Sequence, residues 1–214
     1  MLIDFARTGM EVNMVTDASV RYPLSFTSGG LLVREAAVVA PLYMREQDWC
    51  KVRGSIEEAN LLQSRTRSSG VRLAREVVQR LAVLTDAELE LLLDATPTER
   101  GHLMWAAACR RYALIGEFAE EVLRERFLLL APSLEHDDFD SFLRGKALWH
   151  HELGELREST RLKLRATLFR MLREAGLLAE DGRILRSVLS DRVAEALGAR
   201  TPSDLRFFPM GGLA

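Results

Sequence analysis

STRLKLRATLFRMLREAGLLAEDGRILRSVLS, residues 159–190, carries the strongest structural signal in the chain. Leu164, Leu168, Met171 and Ala175, with Phe169 and Leu172 beside them, recur at helical spacing and define an apolar face. Lys163, Thr167, Arg170 and Glu174 fall on another face by the same periodicity. Gly176 stands where a helix C-cap requires positive φ. Leu177-Leu178 and Ile184-Leu185 flank a Glu-Asp-Gly connection, and Asp181-Gly182 is a hairpin signal. Helix, glycine stop and a short β-hairpin together predict a winged-helix-like module over 151–198 with a DNA-binding surface.

Working outward, residues 1–21 show no clean period and read as a lead-in, with strand-like character only near 11–15. Residues 22–95 read as a helical, helix-turn-helix-like basic region. A helix is expected over 30–46, capped by Thr27 or Ser28 and kinked or broken at Pro41. Ser55 and Glu58 have the spacing of a capping box, and 69–84 predicts an amphipathic helix burying Ala74, Val77, Val78, Leu81 and Leu84. Residues 96–150 form an acidic central block. Thr85/Glu88 and Thr96-Pro97/Glu99 are strong helix starts, and the pattern from 97 runs to Leu130 in two pieces parted near Tyr112–Gly116. Ser190 is expected to cap a last helix, and 199–214 reads as a loose tail. The fold class is therefore mainly α: a compact multi-helix protein with one short hairpin.

A hydrophobic fraction of 48% supports a sizeable core, and a net charge of −2 argues against wholesale polyanion binding. Charge is unevenly placed, however. Residues 65–80 hold five bases against one acid, and 157–192 hold nine bases against five acids. Between them, 85–155 holds fifteen acids against seven bases. Cys50 and Cys109 lack metal or redox spacing, which predicts a reducing, cytoplasmic setting. The start, MLIDFARTGMEVNMV, does not read as a signal peptide, and no apolar run approaches a membrane span.

No catalytic constellation emerges, so a non-enzymatic protein without cofactor or metal is expected. His150-His151 lack a second ligand pair. The acids Glu135, Asp137, Asp138 and Asp140 suit a helix start better than a nuclease centre. Gly29-Gly30 resembles a phosphate seat but has no preceding strand or following Walker lysine. The basic islands carry the binding expectation. Arg65, Arg67, Arg72 and Arg75 form one surface; Arg161, Lys163, Arg165, Arg170 and Arg173 form the second, with Arg183 and Arg186 on the wing. Guanidiniums beside Ser and Thr hydroxyls at a helix start suit phosphate contact.

Several blocks at once resemble the BrxA family of BREX (bacteriophage exclusion) defence systems. They are Tyr22-x-Leu-Ser-Phe-Thr-x-Gly-Gly-Leu-Leu-x-Arg-Glu35, Asn60-Leu-Leu-Gln63, Arg75-Glu-Val-x-Gln-Arg-Leu81 and Leu84-Thr-Asp-x-Glu88. Cys109-Arg-Arg-Tyr112, Phe118-Ala-x-Glu-Val-Leu-Arg-Glu-x-Phe127, Glu158-Ser-Thr-Arg161 and Phe169-Arg-Met-Leu-Arg-Glu-Ala-Gly-Leu-Leu178 complete the set. The resemblance spans about 22–197 and implies an all-helical, non-enzymatic protein that binds double-stranded DNA beside other BREX components. A suggested likeness of the family's core to the RNA-binding protein NusB keeps RNA open as the ligand. A protein–protein assembly role through the acidic block is the other alternative.

Overall fold

The architecture is built around α5 (Pro97–Arg111), in which every residue from Gly101 to Cys109 is buried. A helix apolar on all sides belongs at the centre of a domain. Its start follows from sequence: Thr96 Oγ1 accepts from Glu99 N (3.3 Å), Glu99 Oε2 accepts from Thr96 N (2.9 Å), and Pro97 opens the first turn. In this computed structural model, which describes residues 21–27 and 29–211, α5 packs against helices from both halves of the chain. Residues 1–20 and Ser28, and with them the strand-like 11–15 and the proposed Ser28 cap, lie outside the described residues.

Around α5 stand α1 (Val33–Glu46), α3 (Arg67–Leu81) and α4 (Asp86–Asp94), with α2 (Trp49–Glu58) packed on α1 and α3. α1 runs through Pro41 without ending, since Ala36, Val39 and Ala40 anchor its buried stripe on both sides of the proline. α2 begins earlier than the Ser55/Glu58 spacing suggests. Asp48 Oδ1 accepts from Cys50 N (2.8 Å) and Lys51 N (3.2 Å), so Trp49 is helical and Ser55 is internal. α3 starts two residues before the expected Ser69 because Thr66 Oγ1 caps it, accepting from Ser69 N at 3.2 Å. Thr85 and Glu88 close the capping box of α4.

Tyr112, in extended conformation, separates α5 from α6 (Ala113–Phe118). The helical path continues through a π-type segment, Ala119–Arg124, into α7 (Glu125–Leu128). α8 (His136–Ala147), the one-turn α9 (His151–Gly154), α10 (Glu158–Glu174) and α11 (Asp191–Gly198) complete the set. α10 buries Leu164, Leu168, Phe169, Met171 and Leu172 as its periodicity predicts. It ends in a Schellman motif: Gly176 takes φ 71°, Leu177 N donates to Leu172 O and Gly176 N to Arg173 O, both at 2.9 Å.

The hairpin does not form as a ladder. Among the described residues only two isolated antiparallel bridges occur, Leu178↔Ile184 and Ser133↔Arg183. The turn at Asp181-Gly182 is present, with Ala179 N donating to Arg183 O and Leu185 N to Leu177 O (both 2.9 Å), but the pairing amounts to the single bridge these two bonds flank. On the outer side Ile184 N donates to Pro132 O (3.0 Å), next to the Ser133–Arg183 bridge. The predicted wing is thus a bridged turn, and the winged-helix expectation is corrected accordingly.

The tail is corrected too. Asp204–Phe207 is a 3-10 turn whose Phe207, with Phe208 after it, enters the core. Trp105 Nε1 donates to Phe207 O (3.0 Å). Arg110 bonds Asp204 Oδ2 through Nε (2.6 Å) and Glu88 through Nη1 (2.6 Å) and Nη2 (2.5 Å), tying tail, α4 and α5 in one buried cluster. Ser190 sits at the start of α11, yet its hydroxyl donates to Glu99 Oε1 (2.7 Å) rather than capping.

This cluster and His102 set an acid response. Burial depresses the His102 imidazole, outweighing the opposite pull of Glu99, and its ring lies edge-on to Phe208. Burial alone would raise the Glu88 carboxyl, but the Arg110 hydrogen bonds hold it below its usual range. Both folded-state values are lowered, so both contributions are complete above the unfolded values and are lost as pH falls. Urea unfolding is expected to show stability declining first below about pH 6.5 and again below about pH 4.5. His102→Gln should remove the first decline and keep the second.

Candidate nucleic-acid interface

The first basic island lies on the exposed side of α3. Arg67, Val71 and Arg75 follow each other at i, i+4, i+8, with Ser68 and Arg72 on the adjacent row; all five are exposed, as is Arg65 in the loop before them. None of Arg65, Arg67, Arg72 and Arg75 has a carboxylate partner among the described residues. From Arg67 to Arg75 the helix axis advances about 12 Å, comparable with the ~12 Å width of the B-DNA major groove.

Arg80, counted in the same island by sequence, is internal. It is fully buried, bonds Glu76 Oε1 through Nε (3.1 Å) and Nη2 (2.8 Å), and reaches Gly30 O at 2.7 Å. Tyr112 OH also donates to Glu76 Oε1 (2.6 Å), and the phenol is pushed up to about 12 by burial and by Glu76. The only acid of the island is thereby neutralised inside the protein. The α3 face keeps Arg67, Arg72 and Arg75, with Arg65 in the loop before it, and none of them is paired with a carboxylate among the described residues.

The second island is largely spoken for. Arg165 Nη1 bonds Asp140 Oδ2 at 2.5 Å, and Arg161 Nε stands 4.0 Å from Asp140 Oδ1. Arg170 donates to Gly29 O and lies 3.9 Å from Glu174; Arg173 lies 3.6 Å from Glu180. Thr167, expected on the same polar face as Lys163 and Arg170, is buried, so that face is not continuous. Lys163, Arg170, Arg183 and Arg186 remain exposed, Arg183 beside Asp181 in a solvated pair at 3.7 Å. Periodicity showed which residues share a helix face but not which neighbouring helix brings acids to it.

The Gly29-Gly30 loop is filled by the protein's own anion. Glu174 Oε2 accepts from Leu31 N, and a Cβ at residue 30 would lie 2.3 Å from either carboxylate oxygen. Gly30→Ala therefore displaces Glu174 and is expected to cost about 1–3 kcal/mol in urea unfolding. In a Glu174→Ala background the same change should cost much less.

The other polar clusters have structural partners. Asp138 pairs with Arg126 and accepts from Glu135 N (2.7 Å), while Asp140 holds Arg165. His150 packs on Tyr22 with ring centroids 4.4 Å apart, and His151 is exposed. Among the described residues no group of three or more His, Cys, Asp or Glu side chains converges as metal ligands would, and no helix is long and apolar enough to cross a membrane.

The BrxA family model matches residues 20–201, most of the chain. The chain belongs to the BrxA family of BREX phage-defence systems. Curated BREX protein BrxA relatives include one from Paramagnetospirillum magneticum (strain ATCC 700264 / AMB-1), 25% identical over 167 residues, covering 77% of this chain and 82% of the relative. Another, from Bacillus cereus (strain H3081.97), is 25% identical over 181 residues, with 83% and 90% covered. The one from Escherichia coli O9:H4 (strain HS) is 24% identical over 148 residues, with 69% and 70% covered. A crystal structure of an uncharacterized protein from Magnetospirillum magneticum shares the fold at TM-score 0.75 and 22% identity, covering 89% of this chain and 99% of that one. The helical architecture of this BrxA-family chain is thus shared along nearly all its length.

Proposed function

We propose that this BrxA-family chain is a non-enzymatic accessory protein of a BREX-type defence system that binds double-stranded DNA, chiefly by its phosphates, through the α3 face. The observation that carries the reading is the unopposed row Arg67, Arg72 and Arg75 with Arg65 beside it, against a protein of net charge −2. A chain with no overall excess of positive charge concentrates unpaired guanidiniums on one exposed helix. α1, α2 and α3 pack pairwise, with a connection at 59–66 longer than the three or four residues of a tight helix-turn-helix turn. Lys163, Arg183 and Arg186 supply a secondary contact zone; Arg161, Arg165, Arg170 and Arg173 contribute less because acids and carbonyls already engage them.

Fluorescence anisotropy with labelled duplex DNA, competed by unlabelled duplex or by structured RNA, tests this. The reading expects duplex to displace the probe and RNA to do so poorly; the reverse order supports a NusB-like RNA binder instead. A second reading, an assembly module for other BREX components, is favoured by Leu148 and Trp149, 77% and 73% exposed at the turn between α8 and α9. It expects co-purification with a BREX component that survives reversal of the α3 arginines and is lost in Trp149→Ala.

A further inference from the structure

Beside the α3 arginines lies a cleft of about 260 Å³ between α2, the 59–66 connection and the first turns of α3. Ile56, which is buried, closes its inner end, with Leu62 and Val71 among its lining; the exposed Arg65 and Arg67 stand at its mouth. Glu57, the one acid lining it, is 3.5 Å from Arg53. Drug-sized ligands occupy roughly 300–1,000 Å³, so this cleft suits something smaller, on the scale of one planar ring system.

The wall is held by the protein's own hydrogen bonds. Asn60 and Gln63 hold positive φ (46° and 50°), uncommon for residues with a Cβ. The Asn60 amide clamps the Ser64 main chain from both sides, Nδ2 donating to Ser64 O (3.2 Å) and Oδ1 accepting from Ser64 N (2.9 Å). A small slot that joins the apolar Ile56, Leu62 and Val71 to the polar Asn60 and Ser64, with guanidiniums at its entrance, matches the flat face and polar edge of a base joined to an anionic phosphate. Bases inside an intact duplex are stacked and cannot enter; an unpaired base can.

We infer that this cleft takes one unstacked nucleotide, from a single-stranded tail or an extrahelical position, next to the duplex held by α3. The inference rests on the duplex-binding reading of the α3 face, and its test separates the two. Anisotropy is compared for a blunt duplex, the same duplex with a short single-stranded tail, and the same duplex with a one-base bulge carrying 2-aminopurine. The tailed or the bulged probe is expected to bind about tenfold tighter than the blunt one, with a change in 2-aminopurine emission where the bulge is the preferred form. Which probe gains identifies the source of the nucleotide. Leu62→Gln should bring that probe to the blunt level and leave blunt binding unchanged. Equal affinity of wild type for all three probes, or a preference that persists in Leu62→Gln, overturns the inference while the duplex reading stands. No binding to any probe overturns both.

Discussion

A protein carrying Arg67→Glu, Arg72→Glu and Arg75→Glu is expected to lose duplex affinity by at least about a hundredfold at low salt. The three side chains are exposed and unpaired, so reversal removes three phosphate contacts and adds three repulsions without disturbing the core. Helical circular dichroism and the unfolding midpoint should match wild type, because surface substitutions of this kind change stability by only about ±0.5 kcal/mol. Reversing Lys163 and Arg186 should weaken binding much less. Reversing Arg165 should act mainly on stability, since it leaves the half-buried Asp140 facing a second carboxylate. An α10 variant stronger than the α3 variant would move the interface to the second island.

Arg110→Ala carries the largest expected effect on folding, about 3–5 kcal/mol. Among the described residues the guanidinium is the only cation within 4.0 Å of the Glu88 carboxylate and one of two, with Arg206 at 3.8 Å, near Asp204; both acids are buried. Removing it leaves two charges in a low-dielectric environment, whereas removing an exposed pair such as Arg183–Asp181 should be nearly silent. For a chain of this length the loss corresponds to a melting temperature roughly 10 °C lower. Asp204 belongs to the docked tail, so trypsin should cut the variant near Arg200 and Arg206 well before it cuts wild type.

Much of this was legible from residue types alone, and the reason is locality. Thr85/Glu88, Thr96-Pro97/Glu99 and Gly176 act within a few residues of themselves, and the structure uses each as its chemistry dictates. Ser55/Glu58 has the same spacing but loses to Asp48, whose carboxylate reaches two free amides earlier in the chain. The tail failed to announce itself because what orders it is remote: Phe207 and Phe208 find a core built by residues about 100 positions away. The basic islands show the same limit. Formal charge counted Arg80 in the first island and marked Arg165 as a surface candidate, but their partners Gly30 and Asp140 come from distant elements. Arg65, Arg67, Arg72 and Arg75 stay exposed because, among the described residues, no helix packs on that side of α3.

Phosphate recognition by the α3 face would set the slope of log affinity for a blunt duplex against log salt concentration. Four arginines on phosphates predict a slope of about −3.6, or steeper where Lys163 and Arg186 also engage. Reversing Arg67, Arg72 and Arg75 should make it shallower by roughly three. A slope near zero, or one that the triple variant leaves unchanged, would contradict the account.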